Sequence, residues 1–237
     1  MVNFICLKWG DKYGPEYVNR LYRSIRRYYD GCCSFYCYTD SGLDLDNEIE
    51  IRDISVLRRE NYKCFTVEKI FLFDSGVISG KCVLLDLDVL ILDSLTEYLD
   101  EYDFSEPRFT LSHKPNQNYP LFADLFFQSG PNYVNSSFVT WRDGQLDWLR
   151  EFFMENREII EYKYLDLDTA IFQTCRKKLR FHPQSIIYSY NAYREKLNSK
   201  ITYFNTSHGR GQELHEGPQW ATDLWRGHDS ESALGGR

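Results

Sequence analysis

The stretch Lys81-Cys-Val-Leu-Leu-Asp-Leu-Asp-Val-Leu-Ile-Leu92 sets two carboxylates, Asp86 and Asp88, in the middle of an otherwise apolar run. Such a run reads as a central strand covered on both faces. Side chains alternate along a strand, so the two aspartates point to the same side, about 6.6 Å apart along it. Like charges on a buried strand repel and lose water, and at an effective dielectric near 20 a pair about 4 Å apart is worth roughly 4 kcal/mol. A strand ending near Asp88 at a cleft, with a divalent cation bound there, removes that conflict. Hard oxygen ligands suit Mg²⁺ or Mn²⁺, which in turn hold a diphosphate. The alternative is a pair of strand-end aspartates solvated at a sheet edge.

Upstream, Val2–Leu7 reads as a first strand and Pro15 as the first turn of a helix, because its missing N–H is no loss there. Val18, Leu21, Tyr22, Ile25 and Tyr29 form a helical stripe, with Arg20, Arg23 and Arg27 on a solvated outer side. Ser34–Thr39 and Glu48–Ile54 follow as strands. Asn61–Asp74 reads as a helix with Cys64, Val67, Ile70 and Phe71 inward. Downstream, Ser94-Leu-Thr-Glu97 has the form of a capping box, Phe109–Ser112 is a short strand, and His113–Phe127 is an irregular loop. Tyr133–Trp141 is a strand with Asn135, Ser136 and Ser137 at its centre. Gln145–Asn156 and Thr169–Lys178 read as helices and Ile201–Phe204 as the last strand. One domain over residues 1–228 and a disordered tail over 229–237 are expected.

The 237 residues carry a net charge of -7, which argues against nucleic-acid binding through phosphate contacts. No apolar run reaches the ~18 residues that cross a membrane, and the N-terminus lacks the pattern of a signal peptide. The seven cysteines contain no Cys-x-x-Cys pair and read as reduced thiols, mostly buried. A cytoplasmic chain of bacterial or viral origin is the expectation. The 18 Tyr, 16 Phe and 5 Trp are assigned mainly to the core.

The order of these features resembles the GT-A glycosyltransferases, nearest the glycogenin and lipopolysaccharide galactosyltransferase-like families, over roughly residues 2–210. The resemblance implies a single-domain α/β fold, Rossmann-like and nucleotide-sugar-binding, with a mixed central sheet flanked by helices. Asp86 and Asp88 match the family's Asp-x-Asp, implying Mn²⁺ or Mg²⁺ and the diphosphate of a nucleotide sugar, UDP-linked by analogy. Lys69 matches the basic residue on the preceding helix that meets the donor. Asn135, Ser136 and Ser137 match an Asn-Ser-Gly segment lining the sugar pocket, with Ser137 in place of the glycine; the competing reading is a polar patch on an edge strand.

Asp168, in Leu-Asp-Leu-Asp-Thr-Ala-Ile-Phe, matches an Asp-Gln helix start whose glutamine is Thr169 here. Asp168, or Asp166 in its place, is the candidate general base if the reaction inverts; Asp168 otherwise reads as a helix N-cap. His208 matches the family's late histidine, the third metal ligand, with His215 as its rival. Arg210 stands where a lysine would meet the diphosphate. In Leu7-Lys-Trp-Gly-Asp-Lys-Tyr13, the residues Trp9, Asp11 and Tyr13 are candidates for holding the nucleobase and ribose. The acceptor is expected to be a glycan or other hydroxyl. Two rivals are a haloacid-dehalogenase-type phosphatase, whose aspartate motif belongs on a first strand, and a non-catalytic nucleotide-sugar or carbohydrate-binding protein.

Overall fold

The computed structural model describes residues 1–57, 66–102, 104–111, 134–164, 166–204 and 214–229. Strand β1 (Val2–Lys8) is buried along its whole length. It pairs in parallel with β2 (Cys33–Thr39) on one side and β4 (Lys81–Leu85) on the other. β3 (Glu50–Asp53) adds to β2 in parallel. On the far side, β7 (Val134–Arg142) runs antiparallel to β4, and β6 (Arg108–Leu111) antiparallel to β7. The sheet is therefore mixed, in the order β3-β2-β1-β4-β7-β6. A second sheet has the order β5-β9-β8, from β5 (Val89–Ile91), β9 (Ile201–Tyr203) and β8 (Ile187–Ser189).

Alternation along the central strands sorts their side chains into two cores. Phe4, Cys6, Val83 and Leu85 pack with Val18, Leu21 and Ile25 of helix α1 (Pro15–Tyr28) and with residues of the small sheet. Ile5, Leu7, Cys82 and Leu84 pack against α2 (Glu68–Leu72), α4 (Asp147–Glu155) and α6 (Leu167–Cys175). Both faces are covered, which is why these strands read as continuous apolar runs. Each fully buried Leu or Ile contributes about 1.5–3 kcal/mol. The remaining helices are α3 (Thr96–Glu101), α5 (Arg157–Lys163), α7 (Tyr190–Tyr193) and α8 (Gln219–Arg226). No helix among the described residues is long and apolar enough to cross a membrane.

Several sequence expectations need correction. The run 81–92 is not one strand: β4 ends at Leu85, Asp86 to Asp88 form a bend, and β5 leaves for the second sheet. Asp86 and Asp88 are therefore bend residues between strands. β7 lies between β4 and β6, so Asn135, Ser136 and Ser137 are buried in an interior strand rather than on an edge. β3 spans only Glu50–Asp53 and is exposed throughout, as befits an edge.

Thr66 has φ +62°, outside the α-helical range, so of the helix expected over 61–74 the described residues form only α2; residues 61–65, Cys64 among them, lie outside the described residues. The capping box does not form: α3 starts after Leu95 without a side-chain cap, and Ser94 Oγ accepts instead from Thr96 N at 3.3 Å. Arg20 and Arg23 are not simply solvated. Arg20 Nε donates to Asp229 Oδ1 at 2.7 Å beneath the Trp225 ring, and Arg23 Nε donates to Asp46 Oδ2 at 2.8 Å. Asp229, expected to open the tail, thus ties the last helical turn to α1; residues 230–237 lie outside the described ones.

Candidate active site

Chain order around β1 defines a crevice. From β1 the chain passes through α1 to β2 on one side, while β4 joins the other side. The two connections diverge at the carboxyl ends of β1 and β4, the place where open α/β sheets bind ligands. Trp9 follows β1 and Asp86 follows β4, so the two candidate segments flank one crevice.

Asp86 continues the alternation of Cys82 and Leu84 and so faces the α2 side. There the Lys69 ammonium lies 2.6 Å from Asp86 Oδ1 and 2.9 Å from Oδ2, and donates to Ser136 Oγ at 2.9 Å. Ser137 Oγ donates to Asp86 Oδ2 at 2.9 Å, while Asp86 N donates to Ser137 O at 3.0 Å. Burial works against the Lys69 charge, but the Asp86 and Asp168 carboxylates outweigh it and hold its pKa above the ordinary lysine value.

Consecutive strand residues normally face opposite ways. Ser136 and Ser137 reach the same ion pair because β7 bulges here. Arg108 of β6 pairs with Thr140, but Thr110 already pairs with Asn135, so several β7 residues oppose a short piece of β6. Asn135 Oδ1 closes the bulge by accepting from Ser137 N at 2.8 Å. Bulges of this kind re-aim side chains beside functional sites.

Asp88 is the open member of the pair. Its Oδ1 is shielded from solvent and has no hydrogen-bond partner among the described residues. Desolvation, and then the Asp86 charge, push its pKa up to about 7, against the pull of Lys69 and Lys12. Asp168, in the first turn of α6, accepts from Ser136 N at 3.1 Å. Desolvation lifts its pKa to about 6, although Lys69 and the Ser136 hydrogen bond act the other way. The N-cap of α6 is Asp166, not Asp168: its two oxygens accept from Thr169 N at 2.8 Å and Thr169 Oγ1 at 2.9 Å.

Other predicted residues are placed less directly. Trp9 is half-buried against the α2-side core. The Tyr13 ring packs at a tilt, 4.8 Å between centroids, against Tyr17, and Asp11 is exposed. His215 Nδ1 and Tyr17 Oη lie 2.6 Å apart, which ties this histidine to α1. His208 and Arg210 lie outside the described residues. Sequence reasoning missed Lys12, whose charge bears on Asp88, and Ser137, which was read only as a lost glycine.

A cation fits what is present. A shielded carboxylate oxygen without a donor is destabilised unless a proton or a cation reaches it, and paired carboxylates are hard ligands of the kind Mn²⁺ and Mg²⁺ take. Among the described residues, no group of three or more His, Cys, Asp or Glu side chains is assembled to hold an ion; Asp86 and Asp88 are the two carboxylates of the bend that could contribute to one.

The chain matches no family model and no curated protein. Solved structures do match. It is similar to the galactosyltransferase LgtC in complex with donor and acceptor sugar analogues, with 12% identity over 98% of this chain and 99% of that one, TM-score 0.62. It is similar to the glycosyltransferase GlyE of Streptococcus pneumoniae TIGR4, with 11% identity over 98% of this chain and 61% of that one, TM-score 0.65. Mouse xyloside xylosyltransferase 1 matches with 12% identity over 86% of this chain and 97% of that one, TM-score 0.57. The fold is thus the GT-A glycosyltransferase fold, close to that of the lipopolysaccharide galactosyltransferase-like families. The aspartate bend follows the fourth strand in chain order, not the first as in the phosphatase alternative.

Proposed function

We propose that this chain is a glycosyltransferase. It moves a sugar from a nucleotide-diphosphate sugar, UDP-linked, to the hydroxyl of a glycan or other acceptor. The observation that carries the reading is the shielded, unpartnered Asp88 Oδ1 beside the ion-paired Asp86, at the crevice where β1 and β4 diverge. Asp86 and Asp88 would hold Mn²⁺ or Mg²⁺, with His208 as third ligand. When bound, the cation supplies positive charge against the leaving diphosphate.

The chain's own groups do the rest. Arg210 meets the diphosphate, and Trp9 or Tyr13 stacks on the base. Lys69 offsets the Asp86 charge on the crevice floor through their pairing. Asp168, raised to about 6, holds or accepts a proton near neutrality, as a general base on the acceptor hydroxyl requires if the reaction inverts. Asp166 is occupied as a helix cap and takes no part. The free thiols Cys6, Cys37, Cys82 and Cys175 are buried, which supports a reducing, cytoplasmic setting.

The test is thermal unfolding with UDP, GDP and other nucleoside diphosphates, with and without Mn²⁺. A ligand at about a hundred times its Kd stabilises by about 2.7 kcal/mol. A Mn²⁺-dependent shift with one nucleotide, abolished in Asp88→Ala, supports the proposal. No shift with any nucleotide, but one with Mg²⁺ and BeF₃⁻, overturns it in favour of a phosphatase.

A further inference from the structure

The two aspartates of the bend do not stand in equivalent surroundings. Among the described residues, Asp86 accepts three interactions: Lys69 on Oδ1, Lys69 again on Oδ2, and the Ser137 hydroxyl on Oδ2. A carboxylate offers about four lone-pair directions, so one of them remains, on Oδ1. Asp88 keeps a whole oxygen without any partner.

We infer that Ser137 is a positioning residue which, together with Lys69, fixes the Asp86 carboxylate in the orientation in which it would be offered to a cation shared with Asp88. The inference rests on the metal-dependent reading above. Where the family pattern has a glycine, this chain supplies a hydroxyl, and the β7 bulge closed by Asn135 aims that hydroxyl at Asp86. The β4–β7 ladder reinforces the arrangement, since Asp86 N donates to Ser137 O. Backbone and side chain of the same serine therefore fix both ends of Asp86, and the carboxylate can rotate only by breaking one of these bonds. Groups that orient metal ligands in this way typically change metal affinity by about 10–100-fold when removed.

The experiment is Mn²⁺ binding by electron paramagnetic resonance titration, with and without UDP, on wild type, Ser137→Ala, Ser137→Gly and Ser137→Thr. Circular dichroism melts run alongside to separate folding from binding. The expected result is about tenfold weaker Mn²⁺ binding in the alanine and glycine variants at similar melting temperature. The threonine variant, which keeps the hydroxyl, returns to near wild type. Wild-type binding with an unchanged alanine variant overturns the positioning role and leaves the metal reading standing. Failure of wild type itself to bind Mn²⁺, with or without UDP, overturns both. Equal weakening in the alanine and threonine variants also overturns it, because the hydroxyl would then not be the active feature.

Discussion

Ser136 and Ser137 are neighbours in one strand, yet their hydroxyls meet the two ends of one ion pair: Ser136 Oγ accepts from Lys69 Nζ, and Ser137 Oγ donates to Asp86 Oδ2, each at 2.9 Å. A regular strand would send them to opposite faces. The bulge opposite β6 makes the convergence possible, and so couples β7 to the aspartate bend.

That coupling predicts the behaviour of Lys69. Its side chain is 6% exposed and that of Asp86 28%. Lys69→Met leaves the Asp86 carboxylate with Ser137 alone, and we expect a loss of about 2 kcal/mol in urea unfolding, below the range for a fully buried pair because Asp86 is partly solvated. Lys69→Met combined with Asp86→Asn recovers most of it. A double-mutant cycle measures the difference; additive losses would show that the pair is not coupled.

Asp88 predicts a pH dependence in metal-free buffer. Its pKa is raised to about 7 in the folded chain, against about 3.9 when unfolded. Between these values the folded state binds the extra proton, so this group's contribution to stability is present at low pH and lost as pH rises through about 7. Asp88→Asn removes the titration. Its stability relative to wild type should therefore increase from about pH 4 to about pH 7. Saturating Mn²⁺ should reverse the ranking by stabilising only the wild type.

Asp166 and Asp168 should separate cleanly. Asp166→Ala removes the cap on α6 and costs about 1 kcal/mol, with transfer activity per folded molecule retained. Asp168→Asn keeps an acceptor for Ser136 N and removes a desolvated charge, so the fold should be as stable as wild type or more so. Its kcat should fall by about 100-fold or more, seen as loss of sugar transfer at unchanged UDP affinity.

The C-terminal clamp is a stability prediction. Arg20 carries Asp229 on its guanidinium and lies 3.9 Å from the Trp225 ring centroid. Trp225→Ala should cost about 3 kcal/mol through the cavity it leaves, and Asp229→Ala about 1 kcal/mol or less, diminishing with added salt. Comparing melting temperatures at low and high salt distinguishes the two.

Much of the chain was legible before any coordinates. β1 and β4 stood out because both of their faces are buried, which leaves mostly apolar residues in the run. The stripe on α1 and the row Leu146, Leu149 and Phe153 at the start and along α4 followed from helical spacing, and all three of these last residues are buried. Local capping was less legible. Ser94, Asp166 and Asp168 are all residue types that cap helices, and composition cannot say which one meets a free backbone N–H. The structure gives the cap of α6 to Asp166 and leaves α3 without a side-chain cap.

The sequence by itself determined the α/β class, the order of most strands along the chain and the presence of an acidic pair among apolar residues, because burial and periodicity act between near neighbours; it missed β8 and the break between β4 and β5. Only the tertiary structure decided that the acidic run bends at Asp86, that Lys69 lies within 2.6 Å of it, and that a bulge turns Ser137 from a missing glycine into a partner of Asp86. Those outcomes depend on strand register and on contacts between segments 17 and 51 residues apart. No local pattern encodes them, since the same residues in a regular β7 would face opposite sides of the sheet.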